Sequence, residues 1–235
     1  MRRNISPVSK TLEREIVACY LGMDIQIRRG CSYAVIDAHG LLQASGWLEN
    51  PVHQAPTLVR QWLPHGLQAV GLDAPRQPLP GPRHWYWQRN SGQWIPRTTQ
   101  KGWGRHCEVV ISAHGLGRPQ WTPVRGQAPE WMERGFALFE VLGHLVATEE
   151  VFPSAAYLQL QDNRDVSLWI DFSACAPGPK DMLDAWVAAA VLREWAEGRG
   201  EAVGNGDGLG RIILPRPLAP PVVTGVLHWP AAGGV

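Results

Sequence analysis

The sequence predicts an α/β domain built on a mixed five-stranded sheet, an antiparallel meander of three strands followed by parallel strands, with helices flanking it. Three observations predict it. Short apolar runs separated by Gly-containing turns open the chain, and apolar runs then alternate with segments of helical periodicity. Two of the runs also end alike, in Gly22-Met23-Asp24 and Gly71-Leu72-Asp73.

The first run, residues 16–24 (IVACYLGMD), is apolar throughout and suits a strand buried on both faces. A basic turn (Arg28, Arg29, Gly30) leads to a strand over 32–37, a turn at Ala38-His39-Gly40 and a third strand over 41–47. Residues 56–63 space Leu58, Val59, Trp62 and Leu63 as a short amphipathic helix. Residues 67–73 form a fourth strand, stopped by Ala74-Pro75. The stretch from Arg76 is too rich in Pro, Gly and Trp to be regular throughout. A helix over 129–145, a fifth strand over 146–152 and a long helix over 179–197 follow, with a Gly-rich turn and a short strand over 211–214 to close. Residues 1–14 and 218–235 read as tails or straps around a single domain over 15–217, whose basic insertion covers about 76–127.

Hydrophobic residues make up 45% of the 235 and charged residues 18%, as in folded globular proteins. No apolar run approaches the roughly 20 residues needed to cross a bilayer. Glu13, Arg14 and Glu15 stand where a secretory signal would be apolar, so a cytoplasmic protein with no membrane partner is expected. Cys19, Cys31, Cys107 and Cys175 are far apart and point to neither a zinc site nor a disulfide framework. Net charge is only +1, yet the segment from Arg76 to Arg125 holds eight basic residues against one acid, Glu108.

If the two matching strands are neighbours, Asp24 and Asp73 stand about 5 Å apart. Carboxylates that close repel unless a cation lies between them. Either alone is explained by the preference of turns for Asp. Helix 179–197 adds Asp181 and Asp184 on one face. Asp181 suits a first-turn acid, but Asp184 shares an apolar stripe with Ala188, Val191 and Trp195 and needs a partner in the core. Glu149 or Glu150, with Glu150 preferred, supplies a fourth acid. The expected catalytic set is Asp24, Asp73, Glu150 and Asp184, with Asp24, Asp73, Asp181 and Asp184 as ligands of Mg²⁺ or Mn²⁺.

In the basic segment, Arg83, Trp85, Trp87, Arg89, Lys101 and Arg105 interleave cations with rings. Cations follow phosphates and rings stack on unpaired bases, which makes nucleic acid the candidate partner. The same residues also suit a core cap with solvated arginines, and Arg105 a partner that orients Asp73 or Glu150.

Taken in order, Gly22-Met23-Asp24, Val70-Gly71-Leu72-Asp73-Ala74-Pro75, Arg105-His106-Cys107-Glu108, Glu150-Val151-Phe152-Pro153, Asp181-Met182-Leu183-Asp184-Ala185 and 208–215 (GLGRIILP) resemble the domain-of-unknown-function family 429. That resemblance implies an RNase H-like fold and a predicted nuclease. The D-x-x-D-A helix is also similar to that of Holliday-junction resolvases. The leading expectation is therefore a metal-dependent nuclease. The alternatives are a non-catalytic RNase H-fold binding domain for nucleic acid or protein, and an ATPase-like phosphate-binding module. For the last, the Gly-rich stretch 204–210 precedes a strand where a phosphate loop needs a helix.

Overall fold

The computed structural model describes residues 17–26, 28–97, 102–160 and 178–230. A mixed sheet carries the chain, with β1 (Cys19–Ile25), β2 (Cys31–Asp37) and β3 (Leu42–Leu48) as the expected antiparallel meander. Next to β1, β4 (Leu67–Asp73) and then β7 (Ala147–Val151) run parallel to it. The five-strand expectation is corrected to seven, in the order β3-β2-β1-β4-β7-β9-β8. The additional pair is β8 (Glu201–Val203), antiparallel to β9 (Ile212–Leu214). β9 answers the short strand expected over 211–214, whereas β8, with three residues, carries too little alternation to be read from sequence.

β1 is buried along its whole length, as a central strand covered on both faces must be. Leu21, Met23 and Ile25 point toward α1 (Pro51–Trp62) and α3 (Glu130–Gly143), where they join Val70, Leu72, Val59 and Leu142 in one core. Gly22 points the opposite way, toward α5 (Pro179–Ala196). Helix α5 is buried on nearly all sides, and Ala185, Ala188, Ala189 and Ala190 let its backbone approach the sheet. α1 begins at Pro51, five residues before the expected start, because Pro51 takes the first-turn position and the Asn50 carbonyl accepts from the Gln54 backbone N–H.

The basic segment contains more regular structure than expected. A hairpin, β5 (Trp85–Gln88) with β6 (Gln93–Pro96), forms its own two-stranded sheet. A short helix, α2 (His106–Ala113), packs Cys107, Val110 and Ile111 against Ile212 and Leu214. Another, α4 (Pro153–Leu160), follows β7 and packs against α5. The Pro-rich segment 218–230 lies on the domain as a strap. His106 Nε2 is 2.7 Å from the Val226 carbonyl oxygen, and the Trp229 ring lies 5.0 Å from that of Trp94. Residues 1–14, 161–177 and Lys101 lie outside the described residues.

Candidate functional site

Asp24 and Asp73 are direct register partners across β1 and β4, as are Gly22 and Gly71 two residues earlier. Side chains two apart share a face of the sheet. A Cβ on Gly22 or Gly71 would meet the α5 backbone, so Asp24 and Asp73 lie on the α5 side at the C-terminal ends of their strands. Strand spacing of about 4.8 Å sets the separation of their backbones.

Helix α5 brings Asp184 to this pair, buried to 6% exposure. Its Oδ1 accepts from the Tyr157 hydroxyl at 2.5 Å and its Oδ2 from Lys180 Nζ at 2.5 Å. One turn earlier, Asp181 pairs with Arg29 at 3.5 Å while its carbonyl accepts from Ser32 Oγ at 2.7 Å. That backbone bond ties the first turn of α5 to β2, fixing the height of Asp184 over the strand ends. The four aspartates predicted from sequence therefore gather at one end of the sheet.

Crowding of negative charge in a poorly solvated place raises carboxyl pKa values. Burial, then the neighbouring Asp184 and Asp181 charges, push Asp24 up to about 7 against the hydrogen bond it accepts from Gln26. Burial, with Asp24 and Asp184 adding to it, drives Asp73 well above the usual carboxylate range. Lys180 is held above its ordinary value: burial opposes this, and the Asp184 hydrogen bond outweighs it.

Hard carboxylate oxygens suit Mg²⁺ or Mn²⁺. Among the described residues the Asp73 carboxylate receives no hydrogen bond and no ion pair, so its lone pairs are free beside Asp24. Both observations fit a cation held by Asp24 and Asp73. Yet among the described residues no group of three or more His, Cys, Asp or Glu stands ready to hold a metal ion. Lys180 and Tyr157 already occupy the oxygens of Asp184, which would join a cation only as Lys180 leaves. A cleft of about 710 Å³ opens over the pair, lined also by Arg28, Arg29, Arg118 and Gln120.

Glu150 is the principal correction. It is level with Leu72 in the register and so belongs to the opposite pleat from Asp24 and Asp73. Its two oxygens accept from Arg105 Nη1 and Nη2 at 2.6 and 2.5 Å, and Oε2 accepts also from the Arg76 backbone N–H at 2.9 Å. Arg105 in turn contacts Glu108, with Nη2 at 2.8 Å from Oε1, and Glu108 Oε2 accepts from the Thr122 N–H at 3.0 Å. Arg105 is fully buried, so it is an internal clamp and cannot reach a phosphate. Glu149 faces Arg76 and Arg211 at 3.3 and 2.7 Å.

Of the other nucleic-acid candidates, Arg83 and Arg89 border a separate cleft with Trp87, while Trp85 does not line it and Lys101 is outside the described residues. Trp87 packs edge-on to Trp94 at 5.5 Å and belongs to the core under the strap. The sequence reading missed Lys180, although its i, i+4 spacing to Asp184 was available. It also missed Tyr157, 27 residues away on α4, for which no local signal exists. No family model matches the chain, and no curated protein matches it. Among the described residues no helix is long and apolar enough to cross a membrane.

Proposed function

We propose that this protein is a metal-dependent phosphodiesterase acting on nucleic acid, built on an RNase H-like fold. The observation that carries this reading is the register pairing of Asp24 with Asp73 beneath Asp184. A meander of three antiparallel strands followed by parallel ones supports the fold, and with it the likeness to domain-of-unknown-function family 429. In this reading Asp24 and Asp73 hold Mg²⁺ or Mn²⁺, with Asp184 as third ligand. The cation supplies a lowered pKa for bound water and charge stabilisation at phosphorus. Tyr157 keeps Asp184 oriented, and Arg28, Arg29 and Arg118 draw the phosphate backbone to the cleft. Lys180 neutralises the acids until substrate and cation arrive. A cytoplasmic setting belongs to the same proposal.

A non-catalytic binding domain is the second reading, favoured by one observation, the Lys180 ammonium already on Asp184. An ATPase-like module has less support. The Gly-rich stretch 204–210 places Asp207 Oδ2 2.6 Å from the His106 N–H at the start of α2, so its own carboxylate fills the position a phosphate would take. The test is cleavage of single-stranded, duplex, hybrid and branched substrates with Mn²⁺ or Mg²⁺. Wild type is expected to cleave at least one, and Asp24→Asn, Asp73→Asn and Asp184→Asn to lose more than a hundredfold. Cleavage that survives Asp24→Asn and Asp184→Asn overturns the assignment, and no cleavage of any substrate favours the binding domain.

A further inference from the structure

Among the described residues three aromatic side chains are exposed, Tyr86 at 36%, Trp103 at 43% and Trp121 at 39%, and all three line one cleft of about 540 Å³. Water-facing rings collected in one hollow are unusual, since large rings normally supply core area. Three arginines share the cleft: Arg83, Arg89 and Arg97. No acidic residue lines it, and among the described residues none of the three arginines has a carboxylate within ion-pair distance.

The walls are built in advance. The Trp121 ring rests on Gly104, where a Cβ would stand 2.4 Å from it and φ is +94°. The Gly104 N–H donates to the Thr122 carbonyl at 2.8 Å, and Arg83 pairs its backbone N–H with the Gly102 carbonyl at 2.7 Å. The Arg83 guanidinium lies 5.7 Å over the Trp121 ring and that of Arg97 lies 5.9 Å over Tyr86. Arg83 donates Nη1 to the Gly104 carbonyl, yet its buried Nε has no hydrogen-bond partner. Burial, then the neighbouring Arg97 charge, lower the Arg83 pKa to about 10, against the opposing pull of Glu108 and Asp207.

Flat faces and a cluster of unneutralised guanidiniums match a ligand that is aromatic at one end and anionic at the other. We propose that this cleft binds an unpaired nucleotide of a single-stranded nucleic acid, its base against Trp103 and Trp121 and its phosphate on Arg83, Arg89 and Arg97. Paired bases present no free face, so the cleft selects single strands over duplex. Its position suits the acidic site. Gln120 lines the cleft over Asp24 and Asp73, and the next residue, Trp121, lines this one. From Arg118 to Trp121 the chain spans at most about 11 Å, so one short strand can touch both clefts. The inference rests on the phosphodiesterase reading for the identity of the strand, and names its form.

The test measures binding of a fluorescein-labelled oligothymidylate 12-mer to the full chain in EDTA, where no cleavage occurs. Trp103→Ala and Trp121→Ala are each expected to weaken binding between about 5-fold and 150-fold. Arg97→Ala should reduce the salt dependence of binding. Both tryptophans are exposed, and unchanged thermal unfolding of the variants excludes a folding defect. Thymidine monophosphate, inorganic phosphate and the same sequence as duplex are run beside the 12-mer. Equal affinity for the monophosphate makes the cleft a free-nucleotide site and overturns the single-strand assignment. Equal affinity for duplex, or no loss in either tryptophan variant, also overturns it. A wild type that binds but never cleaves with Mn²⁺ leaves this inference standing and defeats the catalytic reading. One that cleaves with both tryptophan variants unaffected does the reverse.

Discussion

Gly22 of β1 lies so close under Ala185 of α5 that a Cβ on Gly22 would stand 1.9 Å from the Ala185 carbonyl oxygen. That approach sets the depth of α5 over the sheet, and with it the reach of Asp184 toward Asp24. Gly22→Ala drives a methyl into helix backbone that cannot rotate away, and is expected to cost about 3 kcal/mol or more. At Gly71 the new methyl would stand 3.1 Å from the Ala188 carbonyl oxygen and 3.2 Å from the Leu192 side chain, contacts that a shift of a few tenths of an ångström relieves, so Gly71→Ala should cost about 1 kcal/mol. Urea unfolding of the two variants is the measurement. Equal losses would show that α5 adjusts freely over the sheet.

The acidic cluster is expected to cost stability at neutral pH. In the unfolded chain the Asp24 carboxyl loses its proton near pH 4, whereas in the fold burial and the Asp184 charge hold it until about 7. Between those values the folded state binds more protons, so stability falls as pH rises through that window. Asp24→Asn should flatten the fall and gain on the order of 1–3 kcal/mol at pH 8. Mn²⁺ should raise the melting temperature of wild type at pH 8 and that of Asp24→Asn much less. Thermal unfolding from pH 4 to 8 decides the matter, and a metal-free wild type more stable than the variant at pH 8 contradicts it.

Glu150 is expected to behave as a structural acid. Arg105 offers one positive charge to Glu108 and Glu150, all three buried. Arg105→Met removes that charge and leaves two carboxylates facing each other, at a cost of about 3–5 kcal/mol. Glu150→Gln should lower stability while cleavage per folded molecule stays within about tenfold of wild type, against loss of more than a hundredfold in Asp73→Asn. Cleavage abolished in a stably folded Glu150→Gln would return Glu150 to the catalytic set.

What the sequence disclosed follows the range over which its signals act. The twin Gly-x-Asp endings and the alanines of α5 are local patterns, and they located the strand pair and the helix that covers it. The stretch His106–Ile111 is buried all round, so no polar face marks α2 as a helix. Glu149 and Glu150 are adjacent on a strand and so take opposite pleats, and only the register with Gly71 and Leu72 decides that Glu150 is the one turned from the aspartates. Arg105 is open to two readings, a phosphate contact or a partner orienting Asp73 or Glu150; composition cannot choose between them, and the fold gives the second with Glu150, 45 residues away. The exposed rings of Tyr86, Trp103 and Trp121 come from three separate stretches to line one cleft, Trp121 packed on Gly104, and no spacing announces that meeting.

The far end of α5 should govern acid sensitivity. Glu194, buried at 1% exposure, accepts from Arg193 and Arg199 and also pairs with Arg216 of the closing segment. Burial alone would raise its pKa, but the hydrogen bonds from Arg199, Arg216 and Arg193 outweigh it and hold the carboxyl at about 2. A depressed folded-state value contributes stability above the unfolded value of about 4.3, and that contribution is lost as pH falls toward 2. Its size is on the order of 2–3 kcal/mol. Glu194→Gln is therefore expected to be less stable at pH 7 by at least that much, since it leaves three guanidiniums around a neutral amide. Between pH 4.5 and 2.5 the gap to wild type should narrow, because only wild type then loses the charge. Unfolding free energies at these pH values measure both differences. A gap that stays constant down to pH 2.5 would mean that Glu194 acts by packing and not by charge.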